Sequence, residues 1–329
     1  MTNQKIAVTG GSGHFGTHII LKLLEANYSV KAQYYTQKPN IESSNLEWIQ
    51  GNITNVSDVE FLISECIAII HCAAIVDLTK ASNHEVNDTN VLGTQHIIDS
   101  CLKAERNIRV IHISSTSVAS PFPIDQASNE SRPYLNIEKF PYSRSKILAE
   151  KNVLKATKDL GLDALVLRPS ALFGPPDWKP SIFGDFTKKF MNNEYPAITS
   201  GGYNMIDIRD AAQTVVNSIT KGQKGEIYNI GGVYKPLSKI TQLIAQYSES
   251  KLPKFILPVS MIVFFEPLIS FIFRARNMKS PLSKEHLYFV KNGVENLDSS
   301  KAEKKLDHNC RSTEESIKDL VSWFKENKK

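Results

Sequence analysis

The chain has little cysteine: Cys66, Cys72, Cys101 and Cys310 are scattered, and no two stand at metal-ligand spacing. No metal site is therefore expected, and the thiols read as buried apolar fillers in a reducing compartment. No basic run or RNA-binding signature accompanies the formal charge of +5, so no nucleic-acid partner is expected. No internal repeat or low-complexity linker occurs. No secretory signal fits the N-terminus, where a strand-like run begins at Lys5, and a cytoplasmic location is expected. No uninterrupted apolar run reaches the roughly 20 residues that span a bilayer.

What is present is an alternation. Ile6-Ala7-Val8 is strand-like, and Thr17 to Glu25 carries Ile19, Ile20, Leu23 and Leu24 at helical spacing. Strands are expected at Val30–Tyr35, Leu46–Ile49, Ile67–His71, Val110–Ser114, Ala164–Leu167 and Glu226–Ile230. Helices are expected at Asp58–Ser64, Asn90–Lys103, Tyr142–Ala156, Asp207–Ile219, Asp298–Leu306 and Ser312–Asn327. Apolar strands alternating with helices imply an α/β chain, a doubly wound parallel sheet covered on both faces. Its 329 residues suit two domains. The expected division is a dinucleotide-binding part over 1–170, rejoined by 207–232. A smaller, mostly C-terminal substrate-binding region takes 171–206 and 233–329.

The turn Gly10-Gly11-Ser12-Gly13-His14-Phe15-Gly16 follows a strand and opens a helix. Glycines there permit a tight turn, keep side chains out of the way of a pyrophosphate and let the helix pack on the sheet. The helix N-terminus offers free N–H groups to the phosphates. A strand–helix turn can also have this shape without a ligand. An acid that would bind an NAD ribose, about 20 residues on, is missing: the second strand ends Gln33-Tyr34-Tyr35-Thr36-Gln37-Lys38. Lys38 could reach a 2′-phosphate, so NADP(H) is favoured over NAD(H). The alternative for Lys31 and Lys38 is plain solvation.

Tyr142-x-x-x-Lys146 places both side chains on one helix face. A nearby ammonium favours phenolate, and such a tyrosine can give a proton to a carbonyl or take one from an alcohol. Ser114-Ser115-Thr116 ends a strand at the edge where parallel sheets bind ligands. A serine there could hold the substrate oxygen, or could simply cap a turn. Asn90 could cap its helix, bond backbone, or bond a water that feeds Lys146.

Thr9 to Gly16, Gly51-Asn52-Ile53, His71-Cys72-Ala73-Ala74, Asn90-Val91-Leu92-Gly93-Thr94, Ser114-Ser115 and Pro141-Tyr142-Ser143-Arg144-Ser145-Lys146 occur in that order. Arg168-Pro169-Ser170-Ala171-Leu172-Phe173-Gly174-Pro175 and Tyr228-Asn229-Ile230-Gly231 extend the series. With these the chain resembles an extended short-chain dehydrogenase/reductase of the NAD-dependent epimerase/dehydratase superfamily, over roughly its first 230 residues. It most resembles the 3β-hydroxysteroid dehydrogenase and dihydroflavonol reductase branch, on Ser114-Ser115 with Val118, Leu172 to Pro175, and Leu297-Asp298-Ser299-Ser300-Lys301-Ala302. The resemblance implies a Rossmann-type fold and a catalytic Ser115, Tyr142 and Lys146. It implies cofactor contacts at Gly10, Gly13, His14, Phe15, Gly16, Tyr35, Lys38, Asn52, Ile53, Ala73, Ala74, Asn90, Lys146, Pro169 and Ser170, with Phe173 against nicotinamide and substrate. The family's adenine-contacting aspartate is Asn52 here, and its usual acid or arginine after the second strand is Tyr35.

Residues 257–273 are strongly apolar, with Glu266-Pro267 inside, and are flanked by Lys251, Lys254, Arg274, Arg276 and Lys279. Three readings stay open: a helix closing the substrate pocket, a patch lying on a membrane surface, and a homodimer contact. The first two favour an apolar small-molecule substrate. The leading expectation is a reductase or dehydrogenase acting on a secondary alcohol/ketone pair. The alternative is a nucleotide-sugar epimerase or dehydratase holding NAD tightly, with Arg209 and Lys179 as candidates for its diphosphate. A non-catalytic cofactor sensor is the third class, and an intact Ser115-Tyr142-Lys146 set argues against it.

Overall fold

A computed structural model describes residues 4–76, 83–136, 140–275 and 284–327, without the side chains of 268–275. Arg274, Arg276 and Lys279, named above as flanking charges, lie outside the described side chains. The chain begins β1 (Lys5–Thr9), α1 (His14–Glu25), β2 (Ser29–Tyr34), β3 (Leu46–Gln50), α2 (Val56–Ile63) and β4 (Ala68–His71). The short α3 (Asn83–Asn87) runs through a π-turn at Asp88–Leu92 into α4 (Gly93–Lys103). Then come β5 (Arg109–Ile113), α5 (Pro141–Asp159), β6 (Ala164–Pro169), β7 (Ala171–Phe173), α6 (Ile182–Met191) and β8 (Ala197–Thr199). The chain continues as β9 (Gly202–Asp207), α7 (Ile208–Lys221), β10 (Ile227–Ile230), β11 (Val233–Pro236), α8 (Leu237–Ser248) and β12 (Phe255–Leu257). It closes with α9 (Val259–Ala275), α10 (Lys284–Lys291), α11 (Ser300–Leu306) and α12 (Thr313–Glu326).

Seven strands form the main sheet in the order β10-β6-β5-β4-β1-β2-β3, every neighbouring pair parallel. The strands are aliphatic because helices cover both faces. Ile6, Val8, Ile70 and Ile111 join α1 and α7 in one core. Ala7, Ile69, Val110 and Val166 join α2, α4 and α5 in the other. Strand order reverses between β1 and β4, so a crevice opens beyond their carboxyl ends, where ligands bind in such sheets.

The second region has its own core, in which Phe173, Phe190, Ile198, Met205, Ile240, Leu320 and Phe324 meet. It holds the small sheets β11-β9-β7 and β12-β8. One piece falls on the other side. The buried Ala302 and Leu306 of α11, expected with the C-terminal region, pack into the sheet's core against α7 and β10. These apolar positions face the sheet, and Lys301 beside them binds Glu226 and the Ile227 carbonyl at the start of β10.

Candidate active site at the crevice

The glycine turn is shaped mainly by its own neighbours. Gly10 has φ +67°, and a Cβ on it would stand 2.7 Å from the Ala73 nitrogen. A Cβ on Gly16 would stand 2.1 Å from the Gly10 carbonyl oxygen. Gly16 therefore lets α1 pack against the turn itself, where the sequence suggested the sheet. Gly13 differs: its Cβ would meet only the Gly10 oxygen, at 3.2 Å, and it is exposed. A side chain at Gly13 would occupy the crevice instead of clashing with protein. No side chain caps α1 and no acid sits in its first turn, so its first N–H groups are open to an anion.

The residues expected to hold a dinucleotide divide into two sets. Gly10, Gly13, Gly16, Ala73 and Ala74 line the β1/β4 switch. Pro169 ends β6, two strands along the sheet from β4, and Ser170 follows it; among the described residues the buried hydroxyls of Ser170 and Ser117 have no hydrogen-bond partner. Backbone N–H groups, open space over Gly13 and orphaned hydroxyls fit a polar, phosphate-bearing cofactor. Other side chains are engaged elsewhere. The Phe15 ring belongs to the sheet core, and the His14 ring reaches the Gly174 carbonyl at 3.1 Å, so both offer the crevice backbone only. Ile53 is buried against α4. The Asn52 amide oxygen accepts the Thr54 N–H at 3.0 Å, which leaves one lone pair for an adenine amine. Tyr35 and Lys38 are exposed. Lys31 is buried, not solvated: its ammonium holds the Phe61 carbonyl and the Ser64 hydroxyl. Phe173 stacks on Phe183 in the second core.

Thr9, at the end of β1, accepts the Cys72 and Ala73 N–H groups, both at 3.1 Å. Its own hydroxyl meets His71 Nδ1 at 2.8 Å. His71 Nε2 lies 2.9 Å from the Thr94 hydroxyl, which donates to the Asn90 carbonyl at 2.7 Å. Thr94 can then only accept from His71, which fixes the imidazole as the neutral Nε2–H tautomer. Burial, with Lys146 nearby, lowers the His71 pKa to about 3.

Asn90 lies in the π-turn, a feature common at functional sites. Its amide clasps the Ile75 backbone and donates to the Ser145 hydroxyl at 2.9 Å. Ser145 in turn donates to the Tyr142 carbonyl at 2.7 Å. Asn90 thus anchors the loop after β4 to α5 and does not cap a helix.

Ser115 stands close enough to the Tyr142 hydroxyl to ease the loss of its proton. Ser115 also caps the turn after β5 by accepting the Ser117 N–H at 3.2 Å. Ser114 points the other way and donates to Glu150 at 2.5 Å, so it neither caps nor reaches the crevice. Loss of solvent around the Tyr142 hydroxyl raises its pKa to about 12, with Ser115 pulling downward. The expected depression by Lys146 is not what governs it: the Lys146 ammonium donates to the Ile113 carbonyl at 2.5 Å. Burial lowers Lys146 itself to about 8, which leaves it cationic at neutral pH. At that pH Tyr142 is a phenol with a proton to give.

Two buried carboxylates hold α5, and neither was visible in the sequence. Glu150 accepts from Ser114, from Tyr134 at 2.9 Å and from the Arg168 guanidinium at 2.5 Å. Glu285, 142 residues along the chain, accepts the Ser143 N–H at 2.8 Å and its hydroxyl at 2.5 Å. It thereby occupies the N-terminus of α5, where the helix dipole favours an anion. Tyr288 and Phe289 on α10 bring aromatic rings onto Phe140, two residues before Tyr142. The diphosphate candidates fare differently. Arg209 is held by Asp207 at 2.7 Å and Asp319 at 2.8 Å, and Lys179 is exposed.

With this geometry in view, comparison with known proteins gives a consistent result. The profile of the NAD dependent epimerase/dehydratase family matches residues 6–231. A putative dihydroflavonol 4-reductase of Synechocystis is 28% identical, covering 96% of this chain and 93% of its own. Sterol demethylase protein B of Methylococcus capsulatus is 26% identical over 97% and 98%. The fold is shared with the UDP-glucose 4-epimerase of Thermotoga maritima, solved with UDP-glucose, at a TM-score of 0.81 and 20% identity over 99% and 100% of the two chains. The chain that folds the glycine turn, the π-turn asparagine and the Ser115–Tyr142 pair around one crevice belongs to the NAD dependent epimerase/dehydratase family, the extended short-chain dehydrogenases/reductases.

Proposed function

We propose that the protein interconverts a secondary alcohol and a ketone on an apolar small molecule, with Tyr142 as general acid and base. The observation that carries this is Ser115 set beside the buried Tyr142 hydroxyl, with the two nearby carboxylates already engaged. Epimerisation or dehydration of a nucleotide sugar asks for a second acid or base and a diphosphate site. Among the described residues, Glu150 and Glu285 are tied into ion-pair and helix-end contacts, and Arg209 is held by two aspartates. A simple alcohol–ketone exchange needs only the tyrosine.

A bound nicotinamide would supply or accept the hydride. The chain's own residues do the rest. Ser115 fixes the direction of the Tyr142 hydroxyl, and Tyr142 Oη delivers its proton to the ketone oxygen or removes it from the alcohol. Gly10, Gly13, Gly16, Ala73, Ala74 and Ser170 would hold the dinucleotide. NADP(H) is the favoured partner, because β2 ends in Tyr34 and Tyr35 with Lys38 beyond, and no carboxylate there repels a 2′-phosphate. Aromatic rings on α10 and at Phe140 favour an apolar substrate.

The test is turnover of NADPH and NADH against a panel of ketones and nucleotide sugars. Oxidation of NADPH with an apolar ketone, lowered at least about tenfold by Tyr142→Phe, is the expected result. Turnover confined to nucleotide sugars, with NAD retained through purification, would replace this reading by the epimerase one.

A further inference from the structure

The helix α9 is built inside out. A surface helix normally buries apolar residues and exposes charges. Here the inward positions are Val259, Ile262 and Glu266, the carboxylate being only 5% exposed and lying 3.3 Å from Lys284. The outward positions are Met261, Phe264 and Phe265, and Phe264 is 77% exposed. Just before the helix, Phe255 and Ile256 of β12 are more than half exposed. Apolar surface gathered in this way marks a docking face.

We propose that this face, β12 with the first half of α9, seats the protein on an anionic lipid surface beside the substrate entrance. Charge selects the occupant. Exposed Lys251 and Lys254 lead into β12, and Lys284 on α10, 72% exposed, stands beside Glu266 of α9. Aromatic and aliphatic side chains rimmed by lysines match the boundary between acyl chains and acidic headgroups. A two-fold contact with a second copy would set these lysines against their own counterparts. No helix among the described residues is long and apolar enough to cross a membrane, and Glu266 and Pro267 interrupt α9, so the helix lies along the surface.

Position ties the face to the chemistry. Helix α10 packs on α9, and the same α10 supplies Glu285 to the end of the catalytic helix and aromatic rings to Phe140. An apolar ketone dissolved in lipid would leave the bilayer next to the crevice. That last step rests on the alcohol–ketone reading, whereas docking itself does not.

The experiment is co-sedimentation of the full chain with phosphatidylcholine vesicles, with and without phosphatidylserine. Binding to the phosphatidylserine vesicles is expected, weakening with salt. The double variant Phe264→Asp with Phe265→Asp should lower the partition at least about tenfold. Lys251→Glu with Lys254→Glu should lower it about fivefold or more, on acidic vesicles only. Both variants should keep the parent's melting temperature and its turnover of a water-soluble ketone. Absence of vesicle binding by the parent, or binding indifferent to both variants, overturns the proposal. So does a parent dimer that the phenylalanine variant converts to monomer in sedimentation velocity. If vesicle binding behaves as expected but no ketone is reduced, the alcohol–ketone reading fails and the docking face stands.

Discussion

The two walls of the crevice are made of different material. On the β1 side the wall is backbone: a turn of glycines whose carbonyls and N–H groups bond one another and β2, with no room for a side chain on Gly10 against the end of β4. On the α5 side it is side chain: Glu150 with Arg168, Glu285 with Ser143, Asn90 with Ser145. A backbone wall fails through steric overlap, because there is no spare volume for one carbon. A side-chain wall fails through lost partners, because a buried charge left alone is costly.

The largest effect should come from the side-chain wall. Arg168→Ala leaves the Glu150 carboxylate without its guanidinium in a dry interior and should destabilise the fold by about 3–5 kcal/mol, read from denaturant unfolding. Next is a pair of substitutions on the backbone wall that separates folding from binding. Gly16→Ala forces a carbon onto the Gly10 carbonyl and should cost about 1–3 kcal/mol or more in the same assay. Gly13→Ala should change stability by under about 1 kcal/mol yet abolish measurable dinucleotide binding by fluorescence titration. Equal losses of stability in both variants would erase the distinction between the walls.

The smallest effect concerns pH. His71, between the walls, has its folded pKa lowered from the usual 6.5 to about 3. Between those values the unfolded chain binds the proton and the folded one does not, so this stability is full above 6.5 and is lost as pH falls toward 3. Unfolding midpoints should drop from pH 7 to pH 5, with one such group giving a slope of up to about 1.4 kcal/mol per unit. His71→Gln should flatten that slope.

Much of the backbone wall was readable from sequence, because glycine spacing and alternating aliphatic strands are local signals. Helix α1 starts at His14, three residues before the expected Thr17, since periodicity begins only where side chains reach the core. Asn90 was found, and a bond from its side chain to backbone was among the expected roles, but not that the backbone is Ile75 of the loop after β4, because a π-turn has no residue signature. Glu285 could not be found: its partners lie 142 residues away, and nothing local distinguishes it from a solvated glutamate. The strands β7, β8 and β12 have three residues each, too few to show a period. Helix α8 did carry a signal, in Leu237, Ile240, Thr241 and Ile244, which a stricter count of helical spacing would have caught.

The links from Thr9 through His71, Thr94, Asn90 and Ser145 to the Tyr142 carbonyl join the two walls without a gap. Each member is buried or flanked by buried groups, and none is a loop tip that could swing. The span from the glycine turn to the Tyr142 carbonyl is therefore a ruler set when the chain folds, not when ligand arrives. Whatever adjustment a substrate demands must be taken up by the far bank, where α10 holds the helix end through the Glu285 carboxylate and two rings packed on Phe140.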